Sequence, residues 1–150
     1  MPQSLAKLYI HLIFSTKNRQ HLLSIDLQES LHAFLGIKLK ETGCLPIKIN
    51  SAGDHIHLLF ELSRTAAVSD VIQHIKSTSS QWIKKREDSL TDFSWQNGYG
   101  AFSVSMSNIE AVKLYIQNQQ EHHKTLSFQD EYRQFLIRHD ISFDERYVWD

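Results

Sequence analysis

Two histidines, His55 and His57, stand one residue apart in the stretch GDHIHLLF, residues 53–60. Strand alternation puts both imidazoles on one face and Ile56, Leu58 and Phe60 on the other. Two neutral imidazoles aimed at one spot are what a divalent metal needs. The polar face of an ordinary strand can carry the same pair. Further along, LYIQNQQEHH, residues 114–123, places Tyr115 and Gln119 four apart, one helical turn from each other. Both fall at the edge of the apolar stripe Ile109, Val112 and Ile116. A tyrosine at a packing rim beside a solvent-facing glutamine fits that edge as well. A phenol with pKa near ~10 is a poor nucleophile at neutral pH, so a chemical role for Tyr115 needs a nearby cation or base. His11 shares the sheet face of the pair and could assist it. His122, one turn beyond Gln119, could be a spare ligand. These two and His123 could also be packing or surface histidines.

The elements that must bring these residues together read in order along the chain. Residues 7–15, KLYIHLIFS, alternate as a strand, with Leu8, Ile10, Leu12 and Phe14 on one face and Tyr9, His11 and Ile13 on the other. Asp26-Leu27-Gln28-Glu29 resembles a capping box and opens a helix whose stripe is Leu27, Leu31, Phe34, Leu35 and Leu39, closed by Gly43. Leu45, Ile47 and Ile49 alternate as a strand, and Asn50–Asp54 is turn chemistry leading into the strand His55–Leu62, a hairpin. A second helix spans about 68–86, with Val68, Val71, Ile72, Ile75, Ser79, Trp82 and Ile83 inward. Residues 93–105 read as strand material interrupted at Asn97-Gly98. A third helix is expected over about 108–124, capped by Ser107 or Asn108, and a fourth over 127–139. The order predicts a single α+β domain, residues 1–150, of the ferredoxin-like split βαβ kind. Its antiparallel sheet has two helices on one face. The tyrosine-bearing helix lies over or near the other, which carries His11, His55 and His57, with Ser103 nearby.

Composition narrows the partners only a little. The chain has 150 residues, 41% of them hydrophobic, and a net charge of −1, which gives no global sign of nucleic acid. The charge is uneven. Residues 127–150 hold six acids against three arginines, while Lys17, Arg19, Lys76, Lys84, Lys85 and Arg86 make local basic spots. Each of these is a solvated surface charge or a phosphate contact. Apolar runs are too short to span a membrane, no signal peptide opens the sequence, and the single Cys44 suits a cytoplasmic protein. Nine histidines are many for this length.

The blocks together resemble a known family. His55-Ile56-His57 followed by Tyr115-x-x-x-Gln119 is similar to the single-tyrosine HUH transposases of small bacterial insertion sequences, the insertion-sequence 200/605 group, and to their repeat-associated relatives. Three further stretches fit the same pattern: Trp95 to Ser105 (WQNGYGAFSVS), Tyr115-Ile116-x-Asn118-Gln119-x-Glu121-His122-His123, and Tyr147-Val148-Trp149. The resemblance covers nearly the whole chain.

It implies an enzyme that cuts and rejoins single-stranded DNA. Tyr115 would attack a backbone phosphate, forming a 5′-phosphotyrosine and freeing a 3′-hydroxyl. His55, His57 and Gln119 would hold a divalent metal, Mg²⁺ or Mn²⁺, with Mn²⁺ accepting imidazole more readily. It further implies recognition of DNA hairpins at element ends, and a homodimer in which the tyrosine helix can complete the partner's site. Other readings stay open: a catalytically inactive DNA-binding relative, or a histidine-based metal-binding protein or hydrolase in which Tyr115 is structural. A zinc hydrolase would want a third histidine or a carboxylate close by, and no HExxH or paired-cysteine spacing is present.

Overall fold

The computed structural model describes residues 2–150. Tyr9–Ser15 forms β1, Ile25–Glu41 α1, Leu45–Ser51 β2, His55–Glu61 β3, Val68–Arg86 α2 and Gly100–Val104 β4. The four strands make one antiparallel sheet in the order β2-β3-β1-β4, the ferredoxin-like arrangement. Three helical segments follow: α3 (Ile109–Gln117), the short α4 (Gln119–His122) and α5 (Phe128–Arg138).

Alternation decides what each face buries. Leu12 and Phe14 of β1 and Ile56, Leu58 and Phe60 of β3 point to α1 and α2, where Leu31, Leu35, Leu39, Ile72, Ile75 and Ile83 close the main core. Each fully buried leucine, isoleucine or phenylalanine there contributes about 1.5–3 kcal/mol of transfer free energy. The opposite face is covered as well. Ile109 and Ile116 of α3 pack on Tyr9 and Leu59, while Phe128, Tyr132 and Leu136 of α5 pack on Ile13 and Phe102. The polar side of the sheet is therefore roofed by two helices. His11, His55 and His57 are closed in beneath them.

Several local expectations shift. α1 starts one residue before Asp26 and takes Ser24 as its cap, whose side chain accepts from Leu27 N at 3.2 Å. Asp26 then lies in the first turn, where its charge favours the positive end of the helix. At the other end Gly43, at φ +81°, makes the left-handed exit. β4 is much shorter than residues 93–105, and Trp95 keeps only an isolated bridge to Thr16. The physical reason is Lys76. Its ammonium donates to the carbonyls of Gln96 (2.7 Å), Asn97 (3.2 Å) and Gly98 (2.9 Å), while Gly98 N donates to Asp150 O at 2.8 Å. Those backbone groups are spent outside the sheet ladder. His11 pairs with Phe102, so Phe102, not Ser103, shares the histidine face. The third helix breaks at Asn118 (φ −96°, ψ 24°) instead of running on to Lys124.

Candidate metal and tyrosine site

β3 aims both histidines into the space under α3–α5, and neither side chain has any exposure. His123, just past α4, and Glu131 of α5 join them. One ligand atom from each of these four residues lies within 4.8 Å of all the others. Glu131 Oε1 is 2.9 Å from His57 Nε2, 3.4 Å from His55 Nε2 and 3.2 Å from His123 Nε2. Gln119, also fully buried, brings Oε1 to 3.3 Å from His55 Nε2 and 3.1 Å from His123 Nε2. The Tyr115 hydroxyl donates to Glu131 Oε2, so the phenol and the imidazoles meet on one carboxylate.

The outer nitrogens of the three rings are tied down. His55 Nδ1 is 2.6 Å from Asp54 Oδ1, His123 Nδ1 is 2.6 Å from Leu126 O, and His57 Nδ1 is 2.8 Å from His11 Nε2. Such bonds leave a chosen nitrogen facing inward, which is how histidine ligands are oriented on metals. The donors, three imidazoles with a carboxylate and an amide oxygen, fit a borderline divalent cation such as Mn²⁺ or Zn²⁺ better than Mg²⁺, which prefers oxygen alone.

The electrostatics agree that this pocket needs positive charge. Burial would raise the Glu131 pKa, yet the adjacent His57 and hydrogen bonds to His123, His55 and His57 hold it well below the usual carboxylate range. Burial opposes charge on His55, but bonds to Asp54 and Glu131 outweigh it and push the ring up to about 9. His57 moves the other way: its burial wins over Glu131 and its pKa is lowered. Tyr115 is pushed up, first by burial and then by the negative charge of Glu131. Burial and Glu131 together hold the phenol protonated at neutral pH.

A cleft of about 250 Å³ between α3 and α5 reaches Tyr115 and His11 and has Arg138 on its wall. The phenol can be approached there from outside, whereas His55 and His57 do not line the cleft.

The family resemblance had singled out four of these residues, His55, His57, Tyr115 and Gln119, and the fold brings them together. His11 sits behind His57 as an orienting partner. His122 is not in the cluster; its ring stacks on Tyr115 at 4.5 Å, and its Nε2 is buried without a partner. His123 stands where that spare ligand was expected. Glu131 was missed, being one of several acids in its region with no local pattern to set it apart. The basic spots lie apart from the cluster. Lys76 is engaged with the 96–98 carbonyls, Arg19 lies over Trp149 at 5.7 Å, and Arg86 lies over Trp82 at 5.2 Å. Lys17, Lys84 and Lys85 are exposed.

A sequence model of the family described as "Transposase IS200 like" matches residues 4–119. The chain belongs to the IS200-like transposase family. Two solved structures share the fold of this family member. A candidate transposase from Deinococcus radiodurans is 22% identical, with TM-score 0.62, covering 79% of this chain and 98% of its own. A REP-associated tyrosine transposase, solved bound to a REP hairpin, is 13% identical, with TM-score 0.62, covering 96% and 91%. No curated protein matches the chain. Among the described residues, no helix is long and apolar enough to cross a membrane.

Proposed function

We propose that this family member is a metal-dependent enzyme that cleaves and rejoins single-stranded DNA through Tyr115, using hairpins at the ends of its element as landmarks. The observation that carries the reading is the hydrogen bond from the Tyr115 hydroxyl to Glu131, the same carboxylate that gathers His55, His57 and His123. It brings a nucleophile and a metal-binding donor set to one point within a single chain.

His55, His57, His123 and Gln119 would hold the ion, with Glu131 as a further oxygen donor, and Mn²⁺ suits them best. When bound, the metal supplies positive charge that favours the phenolate and offsets charge on the scissile phosphate. The chain's own residues do the rest. Asp54, His11 and Leu126 O keep the imidazoles in register. Glu131 Oε2 is the acceptor already in place for the phenolic proton. Arg138, on the wall of the cleft that leads to Tyr115, supplies a charge for the incoming DNA backbone. The Tyr115 oxygen forms a bond to phosphorus as the bond to the 3′-oxygen breaks, and the freed 3′-oxygen takes a proton. Rejoining runs the same exchange backward with another 3′-hydroxyl. The bond energy stays in the phosphotyrosine, so no nucleotide is consumed.

Three histidines and a carboxylate could also serve hydrolysis, in which water replaces Tyr115. Mass spectrometry of the Tyr115 peptide after reaction with a single-stranded oligonucleotide separates the two. The proposal requires a nucleotide on Tyr115. Cut DNA with an unmodified peptide would replace it with the hydrolytic reading.

A further inference from the structure

The helix that carries Tyr115 does not run straight into the segment that carries Gln119. α3 stops at Gln117, Asn118 leaves helical geometry, and α4 starts again at Gln119. A break of this kind leaves carbonyls that the next turn would have satisfied. Asn50, on β2, meets them: its Nδ2 donates to Ile116 O at 2.9 Å and to Gln117 O at 3.1 Å. Its Oδ1 accepts from Ser51 N at 2.9 Å, which fixes the amide with oxygen toward its own strand and nitrogen toward the helix. Asn50 is also the cross-strand partner of His57.

The anchor behind it is firm. Ser51 is fully buried, its hydroxyl donates to Gln28 Oε1 of α1 at 2.7 Å, and His32 Nε2 of α1 lies 2.7 Å from the Ser51 Oγ. A continuous set of bonds thus runs from α1 through the end of β2 to the break in the tyrosine helix.

We propose that Asn50 is a positioning residue that latches the break between Tyr115 and Gln119 to the strand beside His57. The proposal deepens the tyrosine reading above and rests on it. Tyr115 and Gln119 lie on opposite sides of the break, with the Tyr115 ring 6.0 Å from the His57 ring and Gln119 Oε1 3.3 Å from His55 Nε2. The angle at Asn118 therefore sets whether both reach the same pair of histidines. Asn50 acts through the backbone and touches neither the nucleophile nor the histidine rings by hydrogen bond.

Two variants test it. Asn50→Asp keeps the shape and the bond from Ser51 N but turns a carboxylate oxygen onto two carbonyls. Asn50→Ala removes the side-chain bonds without adding charge. Single-turnover formation of the protein–DNA adduct is measured at saturating Mn²⁺ and single-stranded DNA, together with half-saturation by each and the melting temperature. The latch predicts that the rate at saturation falls about 10- to 100-fold in both variants, the scale of a misplaced reacting group. Half-saturation by DNA should stay unchanged in both, whereas that by Mn²⁺ should rise in both, because Gln119 and His123 lie beyond the break. Wild-type rates in both variants would overturn it. So would a rate loss that only follows lost folding or lost DNA binding. If the wild-type protein forms no adduct, the tyrosine reading fails, and the latch is then judged by hydrogen exchange. Faster exchange of the amides at 118–123, with the sheet amides unchanged, supports it, and unchanged exchange at 118–123 overturns it.

Discussion

At His55 the two ring nitrogens face different jobs. Nδ1 is held by Asp54 at 2.6 Å, and Nε2 looks into the cluster beside Gln119 and Glu131. Because Asp54 and Glu131 raise this ring to about 9, a metal arriving at Nε2 must displace a proton at neutral pH. His57 is lowered and Glu131 is held ionised, so neither adds a second proton to the exchange near neutrality. The Mn²⁺ association constant should therefore rise about tenfold per pH unit from neutral pH up to about 9 and flatten above it, a one-proton linkage readable by calorimetry. A flat profile across that range would count against His55 as a ligand. At this scale the sequence was informative where spacing is local. Strand alternation puts His55 and His57 on one face and the helical turn does the same for Tyr115 and Gln119, but only the family resemblance joined the two pairs into one site. Glu131 reaches the cluster only because α5 packs across β1 and β4, and no local pattern separates it from Asp130 or Glu121. His123 and His122 are adjacent, so which of them turns inward depends on the break at Asn118.

The elements place these residues by spending backbone groups in unexpected ways. On charge alone Lys76 carried two readings, a solvated surface charge or a phosphate contact. It instead satisfies three consecutive carbonyls, Gln96 to Gly98, and burial lowers its pKa to about 8. That explains why residues 93–99, which alternate like a strand, never join the ladder beyond the Thr16–Trp95 bridge. Lys76→Met removes all three donors while keeping much of the stem. It should cost about 1–3 kcal/mol in urea denaturation, the cost of leaving partly buried carbonyls unpaired. A variant as stable as the parent would mean that the carbonyls find water instead. The strand–helix–strand–strand–helix order was legible because hydrophobic period and turn residues agree along 7–86. The break in the tyrosine helix was not, because its cause is Asn50, a residue distant in sequence that looks like turn chemistry from its neighbours.

Across the whole molecule, α1 and α2 cover one face of the sheet, and α3 and α5 of the same chain roof the other, which carries the histidine cluster. Tyr115 meets His57 and Glu131 within one chain. The proposed reaction should therefore run in cis. Mixing Tyr115→Phe with His57→Ala, each inactive alone, should restore no adduct. Restored adduct would show that helices exchange between subunits. The central claim is that Tyr115 becomes covalently joined to DNA. Protein, Mn²⁺ and single-stranded DNA labelled on the 3′ side of the cut, carrying the element's terminal hairpin, are combined and resolved under denaturing conditions. Labelled DNA should migrate with the wild-type protein, and the band should vanish in Tyr115→Phe. An adduct that persists in Tyr115→Phe would contradict the account.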